Sequence, residues 1–480
     1  MRRYYLGIDL GTTCVKSILF DCHGNACGSA SREYDLLFTA DGVEQDANLW
    51  WTHSADTARE AVRQSGVDPK SIDAISVSTQ GISGVLTDAR GTPLMNALSW
   101  LDARSRVQID QILSFIDADT LFTRTGKNPN AYALPQLMWL KQHRPAQFAR
   151  AAHYLLPLDF LMLRMTGRPL MDASIACGTL AFDVRERRLI PELVAFAGIP
   201  EGCLSPTGLM GDAAGTLTAA AAAQMGLLPG IRVVLGAQDQ RCAALGAGIA
   251  PGVATISLGT AAAMCMLTDH CVPDPMRHVT LVCADAGHWM TESVVSTAGA
   301  ALKWFRNTVM PECSYDQITQ LAAESPCGAN GVLFFPELSE ADPDQPAGCF
   351  IGLRLSSTRA DMARALLEGV SFALMRSLRQ HERLAGPCRE IRVFGGGARS
   401  ALWRQILADM TGRPVVLPHT SETGCLGAAM LAARSGGELF SPDDMLQPPR
   451  ECSMPDPDAV RKYESLRKRC ESMRERFGQI

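Results

Sequence analysis

One short device occurs twice in this 480-residue chain. Tyr4-Tyr5-Leu6-Gly7-Ile8-Asp9-Leu10-Gly11-Thr12-Thr13 opens the sequence, and Val253-Ala254-Thr255-Ile256-Ser257-Leu258-Gly259-Thr260-Ala261 lies just past its middle. Each is an apolar strand run ended by a Leu-Gly-Thr turn. The first copy continues into the alternating run Val15-Lys16-Ser17-Ile18-Leu19-Phe20-Asp21, so its turn joins two strands of a hairpin. The tip of such a hairpin exposes backbone N–H groups and hydroxyls. Glycine lets a ligand come close to the main chain, and successive N–H groups make a concavity that suits phosphate oxygens. Two tips, one in each half, predict a grip on a polyphosphate.

A chain of this length exceeds what one hydrophobic core supports, so two large domains are expected. Hydrophobic residues make up 47% and charged residues 20%, with mean hydropathy +0.03, the profile of a soluble globular protein. The net charge of -5 supplies no basic field for nucleic acid, which leaves a small molecule as the expected partner. The 16 cysteines are scattered without C-x-x-C pairs, and Met1-Arg2-Arg3-Tyr4 runs directly into a strand, so reduced thiols and a cytoplasmic location are expected. The uncharged stretch from Cys242 to Leu267 raises the question of a membrane span. Gly246, Gly248, Pro251, Gly252 and Gly259 divide it into helix, turn, strand and turn, and no membrane association is expected.

Strand-like runs at Ser71 to Ser78 and Ile231 to Gly236 alternate with helical stretches such as Leu49 to Gln64, which argues an α/β architecture. Thr358 offers an N-cap, and Met362, Leu366, Val370, Leu374 and Leu378 recur at a spacing of four, predicting a core-facing helix that ends before Gly386-Pro387. Strand Glu390 to Phe394, the turn Gly395-Gly396-Gly397-Ala398 and a helix from Ser400 to Gly412 follow. Small residues from Gly246 to Gly252 mark a domain boundary. The expected divisions are an N-terminal domain over 1–246, a C-terminal domain over 247–436 and a tail over 437–480 ending in a charged helix. Tyr463, Leu466, Cys470, Met473 and Phe477 give that helix one apolar face for docking.

Several residues in this pattern carry chemistry. Asp9 ends the first strand beside the phosphate turn, where a carboxylate tolerates phosphate only across a cation; Mg²⁺ held through water answers that need. Thr12 and Thr13 offer hydroxyls and Lys16 a mobile charge. Asp239 follows strand Val233-Val234-Leu235 and opens a helical run, so it is either a general base stabilised as the anion or simply the N-cap. Gly395-Gly396-Gly397 suits either a pyrophosphate or a stacked adenine. Trp100, Asp102 and Arg104 form either a contact to a hydroxylated ligand or a salt-bridged loop.

Taken together these residues resemble the FGGY family of carbohydrate kinases, within the sugar kinase, Hsp70 and actin superfamily. The matching segments are Gly7 to Thr13, Gly236-Ala237-Gln238-Asp239-Gln240, Ser257 to Thr260, Phe394-Gly395-Gly396-Gly397-Ala398-Arg399-Ser400-Ala401-Leu402-Trp403 and Gly424-Cys425-Leu426-Gly427-Ala428-Ala429. The resemblance implies two ribonuclease-H-like, actin-like ATPase domains around a cleft, with ATP and Mg²⁺ as cosubstrate and cofactor. It implies Asp239 as catalytic base and Asp9 as metal holder. Thr12, Thr13, Lys16, Gly259, Thr260, Gly299 and Lys303 would contact phosphate, with Gly396 and Gly397 against the nucleoside. Gln80, Gly81, Ile82, Asp102 and Gln240 would face the acceptor.

Met165-Thr166-Gly167, Gly178-Thr179 and Glu368-Gly369-Val370 are similar to xylulokinase-like members, which implies a ketopentose accepting phosphate on a hydroxyl. Gly81-Ile82 stands where xylulokinases carry Met-His and glycerol kinases Arg-Glu, and the loop near Ser339 to Pro343 is shorter than the family's. Another ketose, a polyol, a sugar acid or a linear signal sugar is therefore the alternative acceptor, and a non-catalytic actin- or Hsp70-like ATPase a more distant one. The partner implied is a small sugar, with a homodimer permitted.

Overall fold

The computed structural model describes residues 3–338, 348–434 and 442–477. The Ser339 to Pro343 loop lies outside them. The elements used below are, in chain order, strands β1 (Tyr4–Leu10), β2 (Cys14–Asp21) and β3 (Ala26–Glu33), helix α1 (Ala47–Ser65), β4 (Ile72–Thr79), α2 (Ala173–Cys177), β5 (Ala213–Thr216), β6 (Arg232–Gln238) and α3 (Asp239–Gly246). Then come β7 (Val253–Leu258), β8 (Ala262–Thr268), β9 (Trp289–Val295), α4 (Gly299–Val309), α5 (Arg359–Ala385), β10 (Glu390–Phe394), α6 (Ala401–Thr411), β11 (Val415–Leu417), α7 (Thr423–Arg434), β12 (Glu451–Ser453) and α8 (Pro457–Phe477).

The chain divides into two compact units. The first comprises Met1–Gly248, Asp269–Met290 and Glu422–Gln447. Its sheet has the order β5-β6-β4-β1-β2-β3. β1, β2 and β3 form an antiparallel meander, and β4 and β6 join it in parallel. Parallel pairing requires a crossover, which α1 provides between β3 and β4. Asp46 caps α1 by accepting from the Asn48 N–H, and the helix ends at Gly66 in the left-handed conformation.

The second unit comprises Ile249–Thr268, Thr291–Ser421 and Pro448–Ile480. Its strands run β9-β8-β7-β10-β11-β12. The order β9-β8-β7-β10-β11 matches β3-β2-β1-β4-β6, with β7 antiparallel to β8 and parallel to β10, and β10 parallel to β11. The repeated turn in the sequence is thus the surface mark of a repeated sheet, the expected ribonuclease-H-like arrangement. α5 begins at a capping box, Thr358 with Asp361, and buries Leu366, Val370, Leu374 and Leu378. Strand β10 has the bounds its sequence suggested, and α6 starts after the Ser400 cap and ends at Gly412 in the left-handed conformation.

One segment falls elsewhere than sequence order suggests. Residues 422–436 read as part of the C-terminal domain, yet α7 packs within the first unit. Its Cys425, Leu426, Ala429 and Met430 share a core with Tyr5, Ile18, Phe20, Ala74 and Val234. The terminal helix α8 docks through Tyr463, whose hydroxyl donates to Glu368 Oε1 at 2.7 Å and accepts from Arg364 at 2.8 Å. Among the described residues, no helix is long and apolar enough to cross a membrane.

Candidate active site

Three parallel strands of the first unit stop in register. Leu10 of β1 and Gln238 of β6 both pair with Thr79 of β4. The chain therefore leaves the sheet at one edge in three places: Gly11-Thr12-Thr13, Gln80-Gly81-Ile82 and Asp239-Gln240. Adjacent strands lie about 4.8 Å apart, so the three departures occupy a strip roughly 10 Å wide. The carboxyl edge of parallel strands is where α/β sheets bind ligands.

The first turn is aimed by what lies beneath it. The Gly11 N–H closes the turn on the Cys14 carbonyl at 2.9 Å. The Gly11 carbonyl accepts from the Tyr34 hydroxyl, and the Thr12 carbonyl accepts from Gln45 Nε2 at 2.8 Å. Both carbonyls are thus engaged by side chains beneath the turn. Thr13 is exposed, and the Thr12 hydroxyl accepts from Trp100 Nε1 at 3.0 Å.

Asp9 lies one residue inside this edge, in register with Ser78 on one side and Lys16 on the other. Ser78 Oγ donates to Asp9 Oδ1 at 2.6 Å. Burial raises the Asp9 pKa above the usual carboxylate range, against the lowering effects of Ser78 and Lys16. Lys16 itself is ion-paired with Glu422 at 2.7 Å. Glu422 precedes α7, and Gly424 leaves room for the carboxylate: a Cβ there would stand 2.7 Å from Asp9 Oδ2.

This environment has a measurable sign. A folded-state pKa raised above the unfolded value of about 3.9 means that ionising Asp9 costs stability, increasingly as pH climbs from there to the folded pKa. In chelator-treated, ligand-free protein, Asp9→Asn is expected to melt at or above the wild-type temperature, with a gap that is smallest near pH 4 and widens with pH up to the folded pKa. A variant that melts lower at every pH would contradict this account.

Asp239 is the first residue of α3, but its N-cap is Gln238, whose side chain accepts from the Gln240 N–H. Asp239 Oδ1 accepts from the same N–H at 2.6 Å and from Gln238 Nε2 at 2.5 Å. Gln80 is 2% exposed and tied into the network under the first turn. Its Nε2 donates to Gln45 at 3.0 Å, its Oε1 accepts from Ser83 at 3.3 Å, and its N–H donates to the Leu10 carbonyl at 2.7 Å. Gly81 and Ile82 are half-buried beside it. Asp102 takes the salt-bridged alternative: it is 2% exposed, Arg104 pairs with it at 2.7 Å, and the Val43 N–H donates to it at 2.8 Å.

The second unit repeats the turn with different supports. Ser257 of β7 pairs with Phe394 of β10, so Gly259-Thr260 and Gly395-Gly396-Gly397 leave their sheet at one edge. The Gly259 carbonyl accepts from the Gly299 N–H at 2.9 Å, and the Thr260 carbonyl accepts from Ala298 and Ala300 at 3.1 and 2.9 Å. Here the first amides of α4 do what Tyr34 and Gln45 do in the first unit. Position 299 must be glycine for this approach, because a Cβ would fall 2.5 Å from the Gly259 oxygen. Lys303 follows one helical turn later and is exposed, as is Gly396. A Cβ on Gly396 would meet nothing within 4 Å, whereas Gly397 packs on Leu258 and Trp403.

Apart from Asp102, the expected residues therefore gather in two sets, each at or beside the carboxyl edge of its own sheet. Tyr34, Gln45, Ser78, Gln238 and Glu422 escaped sequence reasoning. Only strand register brings Ser78 to Asp9, Gln238 stands in the quoted Gly236 to Gln240 segment without an assigned role, and no local pattern announces the other three.

Comparison with known proteins gives the family. Residues 4–246 match the N-terminal domain, and residues 254–436 the C-terminal domain, of the FGGY family of carbohydrate kinases. The chain is 31% identical to the xylulose kinase of Bacillus subtilis over 474 residues, covering 97% of this chain and 95% of that protein. It is 29% identical to an autoinducer-2 kinase of Enterobacter over 464 residues, covering 91% and 87%. The crystal structure of xylulose kinase from Rhodospirillum rubrum superposes with a TM-score of 0.92 at 29% identity, covering 98% of each chain.

Proposed function

Since the chain belongs to the FGGY family of carbohydrate kinases and is an ATP-dependent sugar kinase, we propose that it transfers the γ-phosphoryl group to a hydroxyl of a ketopentose resembling xylulose, with Asp239 as the base. The observation that carries this reading is that β1, β4 and β6 stop in register, so that Gly11-Thr12-Thr13, Gln80-Gly81-Ile82 and Asp239 leave one sheet edge together. Phosphoryl transfer through a loose transition state asks little of a base early on, because the alcohol becomes acidic only as the O–P bond forms. Asp239, steadied as the anion at a helix N-terminus, accepts that proton late.

Thr12, Thr13 and Lys16 take phosphate oxygens in this reading, as do Gly259, Thr260, Gly299 and Lys303, with Gly396 and Gly397 along the nucleoside. Gln80, Gly81, Ile82 and Gln240 form the acceptor side, with Asp102 fixing the loop that carries Trp100. The residues around Asp9 fit a magnesium ion that keeps most of its water. One carboxylate at the sheet edge, which Gly424 allows to lie close against α7, suits an ion held mainly through water. Bound there, it would neutralise charge on the transferring phosphoryl group.

Position 81 favours a second acceptor. A Cβ on Gly81 would have its nearest neighbours, Gln238 Cγ and Nε2, at 3.8 and 3.9 Å, so the turn leaves room for a longer or linear sugar. A coupled ADP-release assay over ketopentoses, ketohexoses, polyols, aldonates and linear signal sugars separates the two. Xylulose is expected to give the highest kcat/KM and glycerol one of the lowest. A hundredfold preference for an aldonate or linear sugar would replace the ketopentose assignment.

A further inference from the structure

Gln238 has no part in the reading above, yet three of its groups are engaged around Asp239. Its Nε2 donates to Asp239 Oδ1 at 2.5 Å. Its Oε1 caps α3 by accepting from the Gln240 N–H at 3.2 Å. Its own N–H donates to Ser174 Oγ at 3.3 Å. Ser174 is held in turn by Asp172, whose Oδ2 accepts from the Ser174 hydroxyl and, at 2.9 Å, from its N–H; both residues are buried. The backbone just ahead of Asp239 is thereby pinned to the start of α2.

We propose that Gln238 is a positioning residue whose carboxamide fixes the Asp239 carboxylate in the orientation that meets the acceptor hydroxyl. This rests on Asp239 being the base. A hydrogen bond to a carboxylate is charge-assisted and stronger than a neutral one. With Oδ1 held by two donors, the carboxylate has little freedom to rotate about its terminal torsion, so the place of Oδ2 is set as well. Orientation of this kind acts on turnover rather than on binding, because misdirected reacting atoms lower the chance of reaction without weakening the complex. A helix cap alone would need no amide donor; serine, asparagine or aspartate would serve.

That difference gives the test. Gln238→Ser keeps a favoured cap and removes the donor, whereas Gln238→Glu keeps size and capping oxygen but sets a second carboxylate against Asp239. The readouts are kcat, KM for acceptor and ATP, and Tm. Gln238→Ser is expected to lower kcat roughly 10- to 100-fold with KM within about threefold of wild type and Tm unchanged, and Gln238→Glu to lower kcat further. Wild-type kcat in both variants overturns the proposal. So does a loss confined to the acceptor KM, which would make Gln238 a sugar contact, or one that tracks a fall in Tm, which would make it a cap. Asp239→Asn, measured alongside, separates the premise: full turnover there removes the base itself, whereas loss there without loss in Gln238→Ser removes only the positioning role.

Discussion

Replacing Asp239 with asparagine is expected to lower kcat by about 10²- to 10⁴-fold, the range that a positioned general base contributes, with KM for ATP and acceptor changed little. Tm should stay near the wild-type value. Asp239 stands at the first helical position while Gln238 caps α3, so the substitution removes no cap. An asparagine Oδ1 can still accept from the Gln240 N–H and from Gln238 Nε2. The negative charge and the capacity to take a proton are lost. Steady-state kinetics with the best acceptor and a thermal melt decide the matter. Turnover within a factor of a few of wild type would mean that another group accepts the proton.

Much of this site could be read from the chain because its parts are local. The Leu-Gly-Thr turns, the Asp-opened helix after β6 and the glycine run after β10 are each determined by a few adjacent residues, and the structure puts a strand before each of them. The helix Arg359–Ala385 was legible for the same reason, since its cap and its four-residue apolar rhythm are both local. What aims the turns was not legible. Tyr34 and Gln45 reach Gly11 and Thr12 from other elements, and in the second unit backbone amides of α4 take over that work, so the two equal turns rest on unequal supports. The same holds for Asp102, where spacing alone could not choose between a ligand contact and the Arg104 pair that forms. The placement of α7 escaped for a further reason. Its apolar composition fits any core, and only the backbone geometry of glycine decides which neighbour it can approach.

That geometry leads to the largest expected loss of stability. α3 and α7 meet at their backbones: a Cβ at Gly427 would lie 1.8 Å from the Cys242 carbonyl oxygen, and one at Gly246 would lie 2.0 Å from that of Thr423. Neither neighbour is a flexible side chain, so the helices would have to separate. Asp239 opens one of them and Gly424, beside Asp9, lies on the other, which makes this crossing the mechanical base of the site. Overpacking commonly costs about 1–3 kcal/mol and more where the obstacle is rigid. Gly427→Ala is therefore expected to cost about 3 kcal/mol and Gly427→Val more than about 4 kcal/mol, a large share of the roughly 5–15 kcal/mol of an ordinary domain. Gly396→Ala provides the contrast. Its Cβ meets nothing within 4 Å and its backbone is helical, so Tm should not change. Denaturant unfolding of the three variants checks both halves. If Gly427→Val melts like wild type, α3 and α7 are not in backbone contact, and the arrangement that brings Asp239 and Gly424 to one end of the first sheet would have to be redrawn.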